Sequence, residues 1–252
     1  MGLFSKLFGS NKGSNDVVDT IQAVSSTPTT NVIDMSKSAE NLDKVLIDMS
    51  KGSKIDMTKH TARVALAMDY SGSMGGLFSN GAVQDVITRL LPIALKFDDN
   101  GELESWLFSN SQERLEAVTI KNYKNYVRDV MRKANMSMGG TNYAPVLKDM
   151  VKYYKDIEPS DVPAFIIFIT DGENWDTDET NQIVRELSNY NMFVQFIGIG
   201  DENFRYLKSL DDMKGRKCDN TGFTAVRDMN CMTDGELYNE ILRQYKDWLN
   251  TK

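Results

Sequence analysis

The stretch ARVALAMDYSGSMG, residues 62–75, decides the fold of this chain. Residues 62–68 are apolar except for Arg63, a pattern typical of a buried strand and too short for an ordinary helix. Asp69 then lies at the carboxyl end of the strand, with Ser71 and Ser73 directly after it. In open α/β sheets, ligands bind in the crevice outside the carboxyl ends of the strands, where the strand order reverses. The stretch therefore predicts three oxygen-bearing side chains at the ligand-binding edge of a sheet.

Two later stretches add oxygen-bearing side chains to this predicted edge. The sequence MGGTN, residues 138–142, supplies Thr141 before an amphipathic segment, and a second apolar strand, residues 164–170, ends at Asp171. Hydroxyl and carboxylate oxygens without a nearby His or Cys favour Mg²⁺, Mn²⁺ or Ca²⁺ over Zn²⁺ or Cu²⁺. The D-x-S-x-S string alone also fits an ordinary polar turn after a strand. The ordered set predicts one divalent-cation site made of Asp69, Ser71, Ser73, Thr141 and Asp171.

This ordered set resembles the metal-ion-dependent adhesion site of von Willebrand factor A (vWA) domains, and the resemblance extends over residues 61–252. A narrower group, the TerF-like proteins of bacterial tellurium resistance and stress response, is similar in KHTARVAL (59–66), RLLP (89–92), LFS (107–109), GGTNY (139–143) and DNTGF (219–223). The resemblance implies a protein-binding module that depends on a divalent cation, Mg²⁺ or else Mn²⁺ or Ca²⁺, and belongs to a tellurite, toxic-ion or stress-resistance system. It also implies that hydroxyls contact the ion and that an Asp or Glu of a protein partner completes its coordination.

The rest of the chain alternates strand and helix patterns. Such alternation predicts a doubly wound, mostly parallel sheet with helices on both faces, the α/β class. A capping pair, Asp176 with Glu179, predicts one helix start, and Thr233 with Glu236 predicts another. The predicted strands are 103–109, 114–120 at an edge, 192–199 and 222–227, and helical stripes begin at 83, 123, 146 and 177.

The composition bounds the class of protein. The 252 residues are 41% hydrophobic and 26% charged, which is enough for one sizeable core. A net charge of −7 without a basic run argues against nucleic acid as a partner. Cys218 and Cys231 follow no zinc or disulfide pattern. Because there is no apolar run of about 18 residues and no signal-peptide pattern, the sequence predicts a cytoplasmic protein.

Two segments precede the predicted vWA domain. Residues 1–31 begin with MGLFSKLFG, whose apolar residues share one face of a short helix, and continue as a flexible linker. Residues 1–9 either make weak peripheral contact with the inner face of the membrane or with a partner, or are a disordered start. Residues 32–60 contain the repeat IDMSK, IDMSK, IDMTK, whose alternation predicts a short β-hairpin over 45–58. The repeated Asp residues suit a solvated strand face better than a calcium site.

The choice between an enzyme and a binding module rests on Ser71 and on the single histidine. Phosphoryl-transfer enzymes with an Asp nucleophile place an acid/base Asp two residues later, where this chain has Ser71, and no activating partner is visible. His60 is the only histidine, which argues against Ser-His and Cys-His catalysis. We therefore predict no enzymatic activity. The alternatives are a metal-dependent phosphoryl-transfer enzyme and a protein that sequesters divalent ions.

Large apolar residues occur in the two loops that carry predicted metal ligands. Leu77 and Phe78 lie in residues 75–81, and Trp175 lies in residues 171–178. Exposed, they predict an apolar collar that contacts the partner around the ion. The alternative is that they fold back onto the domain and anchor the loops.

Overall fold

A computed structural model describes residues 35–172, 174–228 and 231–252 of the chain. The predicted amphipathic start and linker, residues 1–31, lie outside these ranges. None of the helices in the described ranges is both long and apolar enough to span a membrane. The cysteines at positions 218 and 231 are free thiols.

Six strands of the described chain form one sheet in the order β3-β2-β1-β4-β5-β6. All neighbouring strands are parallel except β2 and β3, so the predicted mostly parallel sheet and its charged edge strand are confirmed. The chain runs from β1 outward to β3 and then returns to the other side of β1 for β4. The strand order therefore reverses between β1 and β4. The strands are β1 Arg63–Asp69, β2 Leu103–Phe108, β3 Gln112–Val118, β4 Ala164–Thr170, β5 Met192–Ile199 and β6 Thr221–Val226.

Helices cover both faces of the sheet. Because side chains alternate along a strand, Val64, Leu66 and Met68 of β1 enter one core, and Ala65 and Ala67 enter the other. The first core also contains buried residues of α1, α3 and α8, and the second contains those of α5, α6 and α7. The helices are α1 Met35–Ser50, α2 Gly75–Ser79, α3 Ala82–Phe97, α4 Tyr126–Asp129, α5 Ala144–Lys152, α6 Thr177–Leu187, α7 Arg205–Asp211 and α8 Asp234–Asn250.

Two helix predictions have different outcomes. The Thr233–Glu236 capping box is confirmed, since the Thr233 side chain accepts from the Glu236 N–H and the Glu236 side chain accepts from the Thr233 N–H. The single helical stripe predicted from residue 123 is instead three short pieces, in which α4 lies between the 3-10 turns Tyr123–Asn125 and Met131–Lys133. A π-helical turn, Tyr153–Ile157, extends α5.

The predicted N-terminal hairpin is wrong, because residues 35–50 form α1 and residues 51–60 form turns. Leu42, Leu46 and Met49 are buried at helical spacing, and α1 contacts α3 and α8. The Ser38 hydroxyl donates to an Asp234 carboxylate oxygen at 2.6 Å, which fixes the register of α1 on α8. The apolar–polar alternation of each repeat covers only the four residues Ile-Asp-Met-Ser, which is too short to outweigh the helical stripe of buried residues in α1. In the third repeat Met57 is also buried, but in a turn.

Candidate metal centre

Asp69, the last residue of β1, has a carboxylate that is fixed on both oxygens. The backbone N–H of Ser71 donates to Oδ1 at 2.7 Å, and the Thr170 hydroxyl donates to Oδ2 at 2.6 Å. The side chain is fully buried, and burial raises the pKa of Asp69 to about 6. In the described ranges no Lys, Arg or His forms an ion pair with this carboxylate. Its negative charge is therefore held in position without a cationic side chain.

Ser71, Ser73 and Asp171 form a chain of close oxygen contacts from β1 to β4. The Ser71 and Ser73 hydroxyl oxygens are 3.0 Å apart, and the Ser73 hydroxyl donates to Asp171 Oδ1 at 2.8 Å. Ser71 is buried, Asp171 is half-buried and Ser73 is exposed. Burial raises the pKa of Asp171, which also makes no ion pair with a basic side chain of the described chain. The chain of oxygens thus opens to solvent at Ser73.

Thr141 lies between the two loops that carry the other residues of the set. The Gly72 N–H donates to the Gly139 carbonyl at 2.9 Å, and Ser71 pairs with Gly139 as an isolated β-bridge. On the other side, the Trp175 N–H donates to the Thr141 carbonyl at 3.0 Å. The Thr141 side chain is buried. The structure therefore brings all five predicted residues to the carboxyl edge of β1 and β4.

The glycine pair before Thr141 is required by a close approach to Asn110. A Cβ on Gly139 would lie 2.1 Å from Asn110 Oδ1, and the same oxygen accepts from the Gly140 N–H at 2.7 Å. The observed approach is to the Asn110 side chain, which ties the Thr141 loop to the segment after β2.

Three residues that position this set were not predicted to do so. Thr170 holds Asp69, and the Tyr143 hydroxyl donates to the Gly172 carbonyl at 2.5 Å. Asp176 was predicted to cap its own helix, α6, but its carboxylate accepts from the backbone N–H groups of Tyr143 and Ala144, at 3.0 and 2.8 Å. Asp176 therefore caps the start of α5, because that N-terminus lies beside the Asp171 loop. The one available sequence signal was position, since Thr170 directly precedes Asp171.

The predicted apolar collar is wrong for Phe78. Phe78 is only 3% exposed, and its ring packs edge-on against Tyr70 at 5.0 Å between centroids, so it anchors its loop. Leu77 is half-buried against the same core. Trp175 is 83% exposed, and Met138, which was not predicted, is 37% exposed. The exposed apolar surface beside the set is therefore Trp175 and Met138.

This sheet order, with a D-x-S-x-S turn at its switch point, defines the von Willebrand factor A class of protein. The family profile for the vWA domain found at the C terminus of TerF, named vWA-TerF-like, matches residues 61–252. The chain therefore belongs to the TerF-like vWA family. Domains of the vWA class are generally interaction modules.

A curated relative aligns with most of this chain. The uncharacterized protein YcbR of Bacillus subtilis (strain 168) is 40% identical over 211 residues, which cover 81% of this chain and 86% of YcbR. The name of that protein states no activity. The relationship therefore supports the family and leaves the function to be argued from the site.

Solved structures share the fold at low sequence identity. Manganese-loaded TRAP of Plasmodium vivax is 18% identical, with a TM-score of 0.50, over 66% of this chain and 69% of that chain. Proximal thread matrix protein 1 of the mussel byssus, with a zinc-occupied MIDAS motif, is 14% identical, with a TM-score of 0.52. That match covers 74% of this chain and 46% of the mussel protein, so this chain spans less than half of it.

Proposed function

We propose that the chain is a divalent-cation-dependent protein-binding module of a bacterial tellurite, toxic-ion or stress-resistance system. In this proposal an Asp or Glu of a protein partner completes the coordination of the ion. The observation that carries the proposal is the pair of buried or half-buried carboxylates, Asp69 and Asp171, linked through serine hydroxyls and lacking a basic partner in the described chain. The residues that would hold the ion are Asp69, Ser71, Ser73, Thr141 and Asp171.

The donor set fits a small, hard cation. All five side chains offer oxygen, and three of them are neutral hydroxyls. Mg²⁺ takes octahedral ligands at about 2.0–2.1 Å, so neighbouring ligand oxygens lie about 2.8–3.0 Å apart, whereas Ca²⁺ requires about 3.3 Å or more. The Ser71–Ser73 and Ser73–Asp171 oxygen separations are 3.0 and 2.8 Å. Both separations are ordinary O–H···O hydrogen-bond lengths, so the donor chemistry, two carboxylates and three neutral hydroxyls, is what suits Mg²⁺ here. The manganese in the TRAP structure of similar fold supports Mn²⁺ as a second candidate.

Each residue of the set has a distinct part in such binding. Thr170 and the Ser71 N–H hold the Asp69 carboxylate in one orientation, so that its negative charge stays at the switch point. Ser71 and Ser73 can turn their hydroxyl protons outward and present lone pairs in place of their mutual hydrogen bond. Asp171, whose Oδ1 accepts from the Ser73 hydroxyl, would hold the same cation through its carboxylate. When bound, the ion supplies an electrophilic position that a partner carboxylate can occupy.

The same geometry supports binding over catalysis. Both oxygens of Asp69 are engaged by hydrogen bonds, so neither is poised as a nucleophile. Two residues later, Ser71 contacts Ser73 instead of a base that could activate it. His60 lies before the first residue of β1, at the other edge of the sheet, where its Nε2 hydrogen-bonds the Tyr245 hydroxyl at 2.8 Å.

Calorimetry on the full chain tests the ion site. MgCl₂ and MnCl₂ are titrated into wild type, into Asp171→Ala and into the control Asp178→Ala, which removes a carboxylate from the first turn of α6, after the same loop, without touching the set. We expect Asp171→Ala to lose most of the affinity while keeping the circular dichroism spectrum of wild type, and Asp178→Ala to bind normally. Wild-type affinity in Asp171→Ala would contradict the assignment. ZnCl₂ belongs in the same series because the mussel protein carries zinc in its MIDAS motif.

A pull-down tests the binding role separately. A protein retained by the wild-type chain should be released by EDTA and should not be retained by Asp69→Ala. Full retention in excess EDTA would show that binding does not use the ion, even if calorimetry detects the site.

A further inference from the structure

A basic segment, residues 121–133, lies next to the candidate metal centre. It carries five basic side chains and one acidic side chain, a net charge of +4, in a chain whose net charge is −7. Because the five are spread over the whole segment, they form no continuous basic run in the sequence. All five are exposed, and they are Lys121, Lys124, Arg128, Arg132 and Lys133.

Hydrogen bonds and buried side chains fix the basic segment against α2 and α3. The amide of Gln84, in the first turn of α3, donates to the Tyr123 carbonyl at 2.6 Å and accepts from the Val127 N–H at 3.1 Å. The Arg132 guanidinium donates to the carbonyl of Phe78, in α2, at 2.9 Å. Three side chains of the segment are buried in the core on the same face: Tyr126, Val127 and Met131. The basic side chains are therefore carried on a fixed backbone, beside the two helices that follow the D-x-S-x-S turn.

The surface between the ion site and Arg132 is short. Phe78, whose carbonyl holds Arg132, is five residues after Ser73 through a turn and α2, so at about 1.5 Å per residue the two are about 8 Å apart. Met138 covers this stretch, because it is 37% exposed and a Cβ on Gly75 would lie 3.6 Å from its sulfur. An extended peptide advances about 3.3 Å per residue, so three or four of its residues would reach from the ion to Arg132.

Most of the positive charge of the basic segment is left for a partner. Arg128 and Lys133 both pair with Asp129, at 2.8 and 3.8 Å. The other three basic side chains make no ion pair with any residue that the structure describes. An acidic group brought to this surface would therefore find cations that are not already neutralised.

Charge is distributed unevenly across the carboxyl edge of the sheet. The basic segment lies on the β3 side, where the Tyr126 hydroxyl donates to the Glu116 carbonyl. On the other side, β5 pairs with β4, which ends just before Asp171, and the segment after β5 carries Glu202. Glu202 is exposed and pairs with no basic side chain of the described chain. Acidic residues of a partner would be attracted on the first side and repelled on the second.

We propose that the partner binds through an acidic segment. One of its Asp or Glu residues completes the coordination of the ion, and further acidic residues, three or four positions away, contact the basic segment. This inference rests on the proposed function, since it describes the partner of the same site. An anionic membrane would also attract basic side chains, but that attraction needs no ion. The acidic peptide is favoured because the ion site and the basic segment share one surface.

Fluorescence anisotropy with the full chain and labelled synthetic peptides tests this proposal. Each peptide has one central Asp in a Gly-Ser background and carries, from the fourth position on either side, three Glu, three Gln or three Lys. In MgCl₂ we expect the Glu peptide to bind about tenfold more tightly than the Gln peptide, as three exposed ion pairs allow, and the Lys peptide to bind more weakly. Raising KCl from about 0.05 M to about 0.5 M should remove most of the difference between the Glu and Gln peptides.

Two double variants locate the contact. Lys124→Gln/Arg132→Gln removes two of the unpaired charges, and Lys121→Gln/Lys124→Gln does the same while leaving the Arg132 hydrogen bond to α2 in place. Each should weaken binding of the Glu peptide about three- to tenfold and leave the Gln peptide unchanged. The matched control Lys152→Gln/Lys155→Gln removes two exposed charges from the end of α5 and the turn after it, and it should bind every peptide as wild type does.

The outcomes separate this proposal from the proposed function. Equal affinity for the Glu and Gln peptides, with both binding only in MgCl₂, would overturn the acidic segment and leave the ion-dependent binding role standing. Binding of the Glu peptide that is the same in EDTA as in MgCl₂ would overturn both. Wild-type affinity for the Glu peptide in the two basic-segment variants, or an equal loss in the control variant, would overturn the contact with the basic segment. If the Glu peptide is not preferred and phosphatidylserine vesicles in EDTA retain wild type but not Lys121→Gln/Lys124→Gln, the segment binds a membrane instead.

Discussion

Phe78 and Trp175 belong to the two loops beside the candidate metal centre. Because one ring is buried and the other is exposed, we expect opposite effects when each is replaced by alanine. Phe78 is 3% exposed and packs edge-on against Tyr70. Truncating a buried phenylalanine to alanine costs about 3–5 kcal/mol through lost burial and the cavity left behind. In a domain of this size each kcal/mol lowers Tm by about 2–4 °C, so Phe78→Ala should melt about 6–20 °C below wild type.

Trp175 should behave in the opposite way. Its side chain is 83% exposed, and its backbone N–H bond to Thr141 survives substitution. The free energy of unfolding of Trp175→Ala should therefore stay within about 0.5 kcal/mol of wild type. As an exposed aromatic beside the proposed ion, Trp175 suits an interface hot spot, whose truncation costs about 2 kcal/mol or more, roughly 30-fold in Kd.

Thermal unfolding followed by circular dichroism compares the stability of the two variants with that of wild type. Partner affinity measured in Mg²⁺ compares their binding. Met138→Ala serves as a milder control on the same exposed surface. Phe78→Ala with the wild-type Tm would refute the packing argument. Normal partner affinity in Trp175→Ala would show that the partner does not use this face.

Three further predictions concern the residues that support the two edges of the sheet. Thr170→Val keeps the shape but removes the donor to Asp69 Oδ2, so calorimetry should show about 10–100-fold weaker magnesium binding, and unchanged affinity would count against this role. Because the buried carboxylate oxygen loses its partner, the free energy of unfolding should also fall by about 1–3 kcal/mol. Gly139→Ala places a methyl group against Asn110 Oδ1 and should lower the free energy of unfolding in urea by about 1–3 kcal/mol. The double variant Gly139→Ala/Asn110→Ala should recover part of that loss. If the losses of the two single variants simply add in the double variant, the clash is contradicted. Burial, with a smaller effect of a nearby lysine charge, lowers the pKa of His60 from 6.5 to about 4. Only the unfolded chain then binds the proton between these pH values, so the free energy of unfolding should decrease as the pH is lowered from 6.5 to about 4. Because the ring is partly exposed and therefore screened by solvent, we expect a decrease of about 1–2 kcal/mol. Subtracting the pH profile of His60→Gln isolates this effect, and identical profiles would exclude it.

The predicted sheet depended on local signals, and these were sufficient. Residues 164–170 and 192–199 are short, almost continuous apolar runs, a pattern that favours a strand buried on both faces over an amphipathic helix. Both are such strands in the structure. The capping box at Thr233 needs only four consecutive residues, so it could be read directly. The placement of Asp69 and Asp171 at neighbouring strand ends followed from the same alternation of strands and helices.

The α1 segment shows why other predictions failed. The triplet Ile-Asp-Met occurs at 47–49, at the end of a helix, and at 55–57, in a turn. Both methionines are buried, so the triplet reports burial and not the backbone conformation. The choice of helix for residues 35–50 depends on contacts with α3 and α8, which lie far along the chain.

The predictions for loop side chains failed for a related reason. Asp176 was assigned to its own helix because capping rules are local, but its partners Tyr143 and Ala144 are 33 and 32 residues earlier. Phe78 and Trp175 both stand among glycines and polar residues, and only the folded chain distinguishes the buried ring from the exposed one. Sequence patterns thus located the loops but not the directions of their side chains.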